Sequence, residues 1–220
     1  LVLGQERAPY QIQLASDEYD KFTSVGNLGM TITNFGILGN GWNRMEDGSI
    51  HPSCQYKQQT EIAREQIEHF SYCGLWVGGI VDGQRRVSTA IVDGVFEAGN
   101  EGFELFANSQ INIQSSISST TQDSMAQYYS PDAISHQDMI ADFKDYGDSP
   151  SDNLGIPNHN PLGLDIHMKA YAWNYSYADA FVILNYTFKN ASSDTINNLY
   201  AGFWADASIA NFNYTDKYTP

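Results

Sequence analysis

The 220-residue chain has no apolar run approaching the roughly 20 residues that an α-helix needs to cross a bilayer, so membrane insertion through a helix is not expected. Basic side chains are scarce: 11 Lys and Arg stand against 26 Asp and Glu, a formal net charge of −15. Nucleic acid and anionic lipid repel such a surface, because binding there depends on cationic side chains that release counterions. Nucleic-acid binding is therefore set aside. Cysteine is nearly absent. Cys54 and Cys73 are the two present, without the Cys-x-x-Cys spacing of a zinc site. They flank one helix-like segment, so a disulfide between them is geometrically feasible. Two separately buried thiols account for them equally well.

Catalytic signatures are missing as well. There is no Gly-x-Ser-x-Gly elbow, no phosphate-cradling glycine loop and no His-Glu-x-x-His, and His51, His69, His136, His159 and His167 are scattered. Glu97, Glu101 and Glu104 come nearest to the carboxylate pair that glycoside hydrolysis uses. That chemistry depends on a separation in space, and ordinary surface glutamates explain the three as well. The expectation is a protein with no catalytic activity of its own and no required cofactor.

What is present is strand patterning. In the stretch from Asp179 to Ile209, Val182, Leu184, Tyr186 and Phe188 alternate with Asn185, Thr187 and Lys189, the period of a strand with one buried face. After a polar turn, Tyr200, Gly202, Trp204 and Asp206 share one face, and Leu199, Ala201, Phe203 and Ala205 the other. Apolar residues on both faces predict a core strand lying between two layers, in which Asp206 must find a partner. Tyr10 to Leu14, Leu28 to Phe35, Gly74 to Val81, Arg86 to Val92, Ile111 to Ile117, Met139 to Phe143 and Leu162 to Trp173 also read as strands. Asp82-Gly83 and Asp93-Gly94 supply the two-residue turns that join antiparallel strands. One segment, 57–70, is rich in helix formers and carries Ile62, Ile67 and Phe70 as a narrow stripe.

Together these predict an all-β fold, an antiparallel β-sandwich of large or double form with one short helix around 57–70. Residues 1–220 are expected to form one domain, part of a longer chain, with a candidate subdivision near 118–135 where Ser, Thr and Gln dominate. Asp142, Asp145, Asp148 and Asp152 crowd one loop with the hard oxygen donors that calcium prefers. Their order does not match an EF-hand, and a solvated acidic loop is the competing account. Trp173, Tyr175 and Tyr177 alternate and form a candidate aromatic strip for a glycan or a subunit interface, against simple core packing.

Charged residues make up only 17% of the chain, while Asn, Ser, Thr, Gly and Tyr abound, a balance typical of secreted β-proteins. Several phrases add to this: Thr33-Asn-Phe-Gly-Ile-Leu-Gly-Asn-Gly41, Pro52-Ser-Cys54, Gly74-Leu-Trp-Val-Gly-Gly79, Val87-Ser-Thr89, Pro161-Leu-Gly-Leu164, Tyr171-Ala-Trp173 and Trp204-Ala-Asp206. In this order they resemble the N-terminal region of large secreted bacterial proteins that often end in a type IX sorting domain and mostly lack assigned activity. The likeness spans most of Val25 to Asp206 and rests on glycines and strand aromatics. It implies an extracellular or cell-surface location and a β-rich fold, and no catalytic role. The insert at 57–70 departs from the shorter Gly-rich link the resemblance would lead one to expect. The functional expectation is a self-associating structural subunit of a surface layer or filament. The alternative is a carbohydrate-binding or accessory module of a larger hydrolase.

Overall fold

A computed structural model describes residues 20–40, 51–58, 67–91, 103–118, 123–147 and 159–208. Thirteen strands run through them: β1 (Asp20–Phe22), β2 (Leu28–Thr33), β3 (Ile37–Gly39), β4 (Cys54–Tyr56), β5 (Ile67–Glu68), β6 (Phe70–Val81), β7 (Gln84–Thr89), β8 (Phe106–Ala107), β9 (Asn112–Gln114), β10 (Gln137–Lys144), β11 (Leu164–Ala172), β12 (Ile183–Asn190) and β13 (Ile196–Ala207). β11 shows why the chain chooses this class. Leu164, Ile166, Met168 and Ala170 are buried, while Asp165, His167 and Lys169 between them are only partly covered. A period of two can be satisfied only by a strand with one face against a core.

The strands form two antiparallel sheets. The larger has the order β13-β6-β3-β2-β4-β5, with β1 beside β2 and β7 beside β6; the smaller has the order β12-β11-β10-β8, with β9 beside β10. One cluster fills the space between them: Met30 and Ile32 from β2, Leu75 and Val77 from β6, Met139 and Phe143 from β10, and Ile166 and Met168 from β11. Each such side chain contributes about 1.5–3 kcal/mol when fully removed from water. The all-β sandwich expected from the sequence is thus the observed fold.

β6 and β7 join through Asp82 and Gly83, whose φ values of 51° and 73° give the doubly left-handed turn that matches strand twist. Gly36 meets a different demand. Its φ is 84°, and a Cβ there would lie 2.5 Å from Leu105 Cδ1. Between residues 118 and 135, a 3-10 helix at Ser124–Tyr128 is capped by Asp123, whose side chain accepts from Met125 N–H. Its Met125 packs with Val25 and Ala172.

Three expectations need correction or placement. The helix around 57–70 is not borne out at its described ends: Lys57 and Gln58 form a turn, Lys57 at a φ of 57°, and Ile67, Glu68 and Phe70 are strand. Pairing of Gln55 with Glu68 and of Tyr56 with Ile67 outweighs the local helical preference. Residues 59–66, Tyr10 to Leu14 and Asp93-Gly94 lie outside the described residues. Finally, the two strands of Asp179 to Ile209 do not share a sheet. β12 edges the smaller sheet and β13 the larger, and β13 is largely exposed rather than enclosed.

Candidate assembly surface

β13 is twelve residues long and, among the described residues, pairs only with β6. Among the described residues nothing pairs with its other edge. Both of its faces reach solvent: Tyr200 is 72% exposed on one, and Phe203 49% and Leu199 43% on the other. Phe203 faces inward, beside Leu75 in the register, with its ring centroid 5.5 Å from that of Tyr186 on β12. Burial pushes the Tyr186 hydroxyl well above its ordinary pKa, with the nearby Cys73 adding to the effect. The mouth between the two edge strands therefore leaves inward-facing core residues half covered.

Edge strands in soluble proteins are commonly blunted by lysine, proline or inward-pointing charge. β13 has neither lysine nor proline, and its one charged residue, Asp206, accepts a hydrogen bond from Ser71 Oγ. That is the partner the sequence called for. Two irregularities resist pairing, a bulge near its start, with Asn198 at a φ of 50°, and a register slip between Ala205 and Ala207. Neighbouring β6, FSYCGLWVGGIV, has no charged side chain at all. What this surface can do is accept an extended segment, through unpaired backbone groups and flanking apolar side chains.

The other expected site residues are distributed differently. Trp173 follows β11 and packs on Tyr171 and Phe181, at centroid distances of 6.2 and 6.1 Å. Tyr175 and Tyr177 lie in the next turn, stacked at 5.4 Å and 7°, with Tyr177 81% exposed and the His136 ring against Tyr175. The strip is thus split into a packed tryptophan and an exposed tyrosine pair. Of the four aspartates, Asp148 and Asp152 lie outside the described residues. Asp142 meets His167 Nδ1 at 2.7 Å. The Asp145 carboxylate is fully buried and accepts from the N–H groups of Leu162, Gly163 and Leu164 and from Ser88 Oγ. Those donors already occupy the oxygens a cation would need. Among the described residues no three His, Cys, Asp or Glu side chains converge as a metal site. Cys54 and Cys73 are both buried free thiols, and the bridge considered from the sequence is not formed.

Two buried polar groups escaped sequence reasoning. Ser88 Oγ lies 3.0 Å from both Asp145 Oδ2 and His159 Nε2, and joins the start of β11 to the opposite sheet. Burial lowers the His159 pKa, opposed by the charges of Glu104 and Asp145. Glu104 itself is held by the N–H and Oγ of Thr89, each at 2.8 Å, while Glu97 and Glu101 lie outside the described residues. In the second group, Glu68 accepts from Ser53 N–H, Cys54 N–H and Gln55 Nε2, and burial raises its carboxyl to about 7. Ser88 is fully buried, so its contact with His159 presents no nucleophile to solvent. Both groups act as structural clamps. Comparison with protein-family models, characterised proteins and solved structures finds no match to the chain.

Proposed function

We propose that this protein is an extracellular structural subunit that associates with itself, in a surface layer or filament, through the open end of the sandwich at β12 and β13. The observation that carries the reading is β13: a twelve-residue edge strand without lysine or proline and with apolar side chains exposed on both faces. A composition like that of secreted β-proteins and the resemblance to the N-terminal region of large secreted bacterial proteins agree with it. Sedimentation velocity and light scattering from low to high micromolar concentration, followed by negative-stain electron microscopy, test it. Concentration-dependent assembly with regular particles is expected. A strict monomer throughout would rule the reading out.

A second reading, a carbohydrate-binding or accessory module, draws on Tyr175 and Tyr177, a stacked pair exposed enough to lie against sugar C–H faces. Binding on a glycan array that disappears in both Trp173→Ala and Tyr177→Ala variants would favour it over assembly. An array with no signal would remove it.

A further inference from the structure

The self-association reading leaves the mode of contact open, and the backbone directions in β6 narrow it. Leu75 N–H donates to Gly36 C=O, and Leu75 C=O accepts from Ala90 N–H, so Leu75 sends both backbone groups away from β13. Strand geometry alternates these directions. Gly74, Trp76 and Gly78 therefore send theirs toward β13, where they face Trp204, Gly202 and Tyr200. It follows that Ala201, Phe203 and Ala205 direct their N–H and C=O groups outward, to the edge that no other described strand occupies. The regular part of the strand is short, because the pairing slips between Asn197 and Tyr200 and again between Ala205 and Ala207.

We propose, building on the self-association reading, that β13 pairs antiparallel with β13 of a second copy about a two-fold axis at Gly202, a contact that closes on a dimer, so that growth into a layer or filament uses a second contact elsewhere on the molecule. In this register Gly202 lies opposite its own image, and Ala201 of each copy exchanges backbone hydrogen bonds with Phe203 of the other. Phe203 thus meets an alanine on the inward face, and Tyr200 meets Trp204 of the second copy on the outward face. A register centred on Phe203 instead sets two phenylalanines side by side and places Tyr200 opposite Asp206. Gly202 lies at a non-hydrogen-bonded position, where paired Cα atoms approach to about 4.5 Å and a residue without a side chain leaves the approach open. The occupant is a second copy because the edge complements itself in this register, Ala201 opposite Phe203 and Tyr200 opposite Trp204, and the β6–β13 ribbon, with Asp206 as its one charged side chain, is where two molecules of −15 meet with least repulsion.

The test is a cysteine placed at the axis. A Cβ at Gly202 meets nothing within 4 Å, so the G202C variant should fold. The expected Cα separation of about 4.5 Å lies within the range of roughly 4.4–6.8 Å that a disulfide spans. Under mild oxidation G202C should give a reductant-sensitive dimer at least tenfold faster than Thr187→Cys, whose side chain is exposed on the outer face of β12. The wild type, with both thiols buried, should give none. If wild type self-associates in sedimentation while G202C cross-links no faster than the Thr187 variant, the two-fold pairing is wrong and assembly uses another surface. If wild type is monomeric and G202C does not cross-link, both proposals fall.

Discussion

Asp145 should be among the most costly residues to replace. Its carboxylate is completely buried at the end of β10; Oδ1 accepts from Gly163 and Leu164 N–H at 3.0 and 2.6 Å, and Oδ2 from Leu162 N–H and Ser88 Oγ at 2.7 and 3.0 Å. It therefore fastens the start of β11 to β10 and, through Ser88, to β7 in the opposite sheet. Asp145→Ala leaves four donors without this acceptor, and an unpaired buried donor costs about 1–3 kcal/mol. Gly163 is only partly buried and can recover water, and the serine hydroxyl can turn, so about 3–5 kcal/mol is the expected loss. That is a large part of a typical stability of about 5–15 kcal/mol. Asp145→Asn keeps one acceptor oxygen and should lose less. Ser88→Ala removes one donor and should cost about 1 kcal/mol. Urea unfolding followed by circular dichroism gives the ranking. A loss under about 1 kcal/mol for Asp145→Ala, or an equal loss for Ser88→Ala, would refute the clamp.

Other consequences follow from buried titrating groups and from net charge. The Glu68 carboxyl, raised from 4.5 to about 7, holds a proton in the folded state that the unfolded chain has already lost. Stability should therefore fall as pH rises from 4.5 to 7, by about 3 kcal/mol at the limit, and Glu68→Gln should flatten that slope in urea titrations at successive pH values. A slope unchanged by the substitution would mean that the carboxyl is not held protonated. Burial pushes the Cys54 and Cys73 thiols up to about 12 and about 11, so a thiol reagent at pH 8 should react at least 100-fold slower with native than with urea-unfolded protein. Fast labelling of the native chain would contradict their placement. Self-association through an uncharged edge of an acidic molecule should strengthen as NaCl rises from 0.05 to 0.5 M, because screening removes only repulsion. Sedimentation equilibrium reads the change, and weakening with salt would point to an ion-paired contact instead.

The sheets were legible wherever a pattern is local. β11 could be read from its alternation, and the β6–β7 hairpin from Asp82-Gly83, whose backbone the turn requires. What was not legible depended on groups distant in sequence. Asp145 looks like one member of an acidic loop because its N–H donors lie 17 to 19 residues further along the chain. Ile67 and Phe70 look helical beside strong helix formers, yet ladder pairing of Ile67 to β4 and of Phe70 to β13 makes them sheet. β13 misled in the opposite sense. Apolar residues on both faces normally mean that both faces are covered. Here the same pattern lies on an edge. The absence of charge from Phe70 to Val81 and from Ile196 to Ala205, in a chain of strongly acidic balance, points the same misleading way, because edge strands commonly carry charge.

That contrast bears on how such a surface avoids indiscriminate aggregation. An unprotected edge strand can template pairing with any extended segment. Much of the rest of this molecule is negatively charged, so approaches that bring β13 against another acidic surface place like charges close together, and like-charge contact costs binding energy. Edge-to-edge approach at the charge-free ribbon is the orientation that brings the fewest carboxylates into contact. On the proposed reading, acidity then sets specificity: the attraction comes from backbone groups and from Tyr200, Phe203 and Trp204, and the choice of orientation comes from repulsion everywhere else. Arginine or lysine placed on acidic positions remote from β13 should accordingly leave the dimer contact intact while increasing disordered aggregation. An edge selected by its own shape alone would not respond in this way.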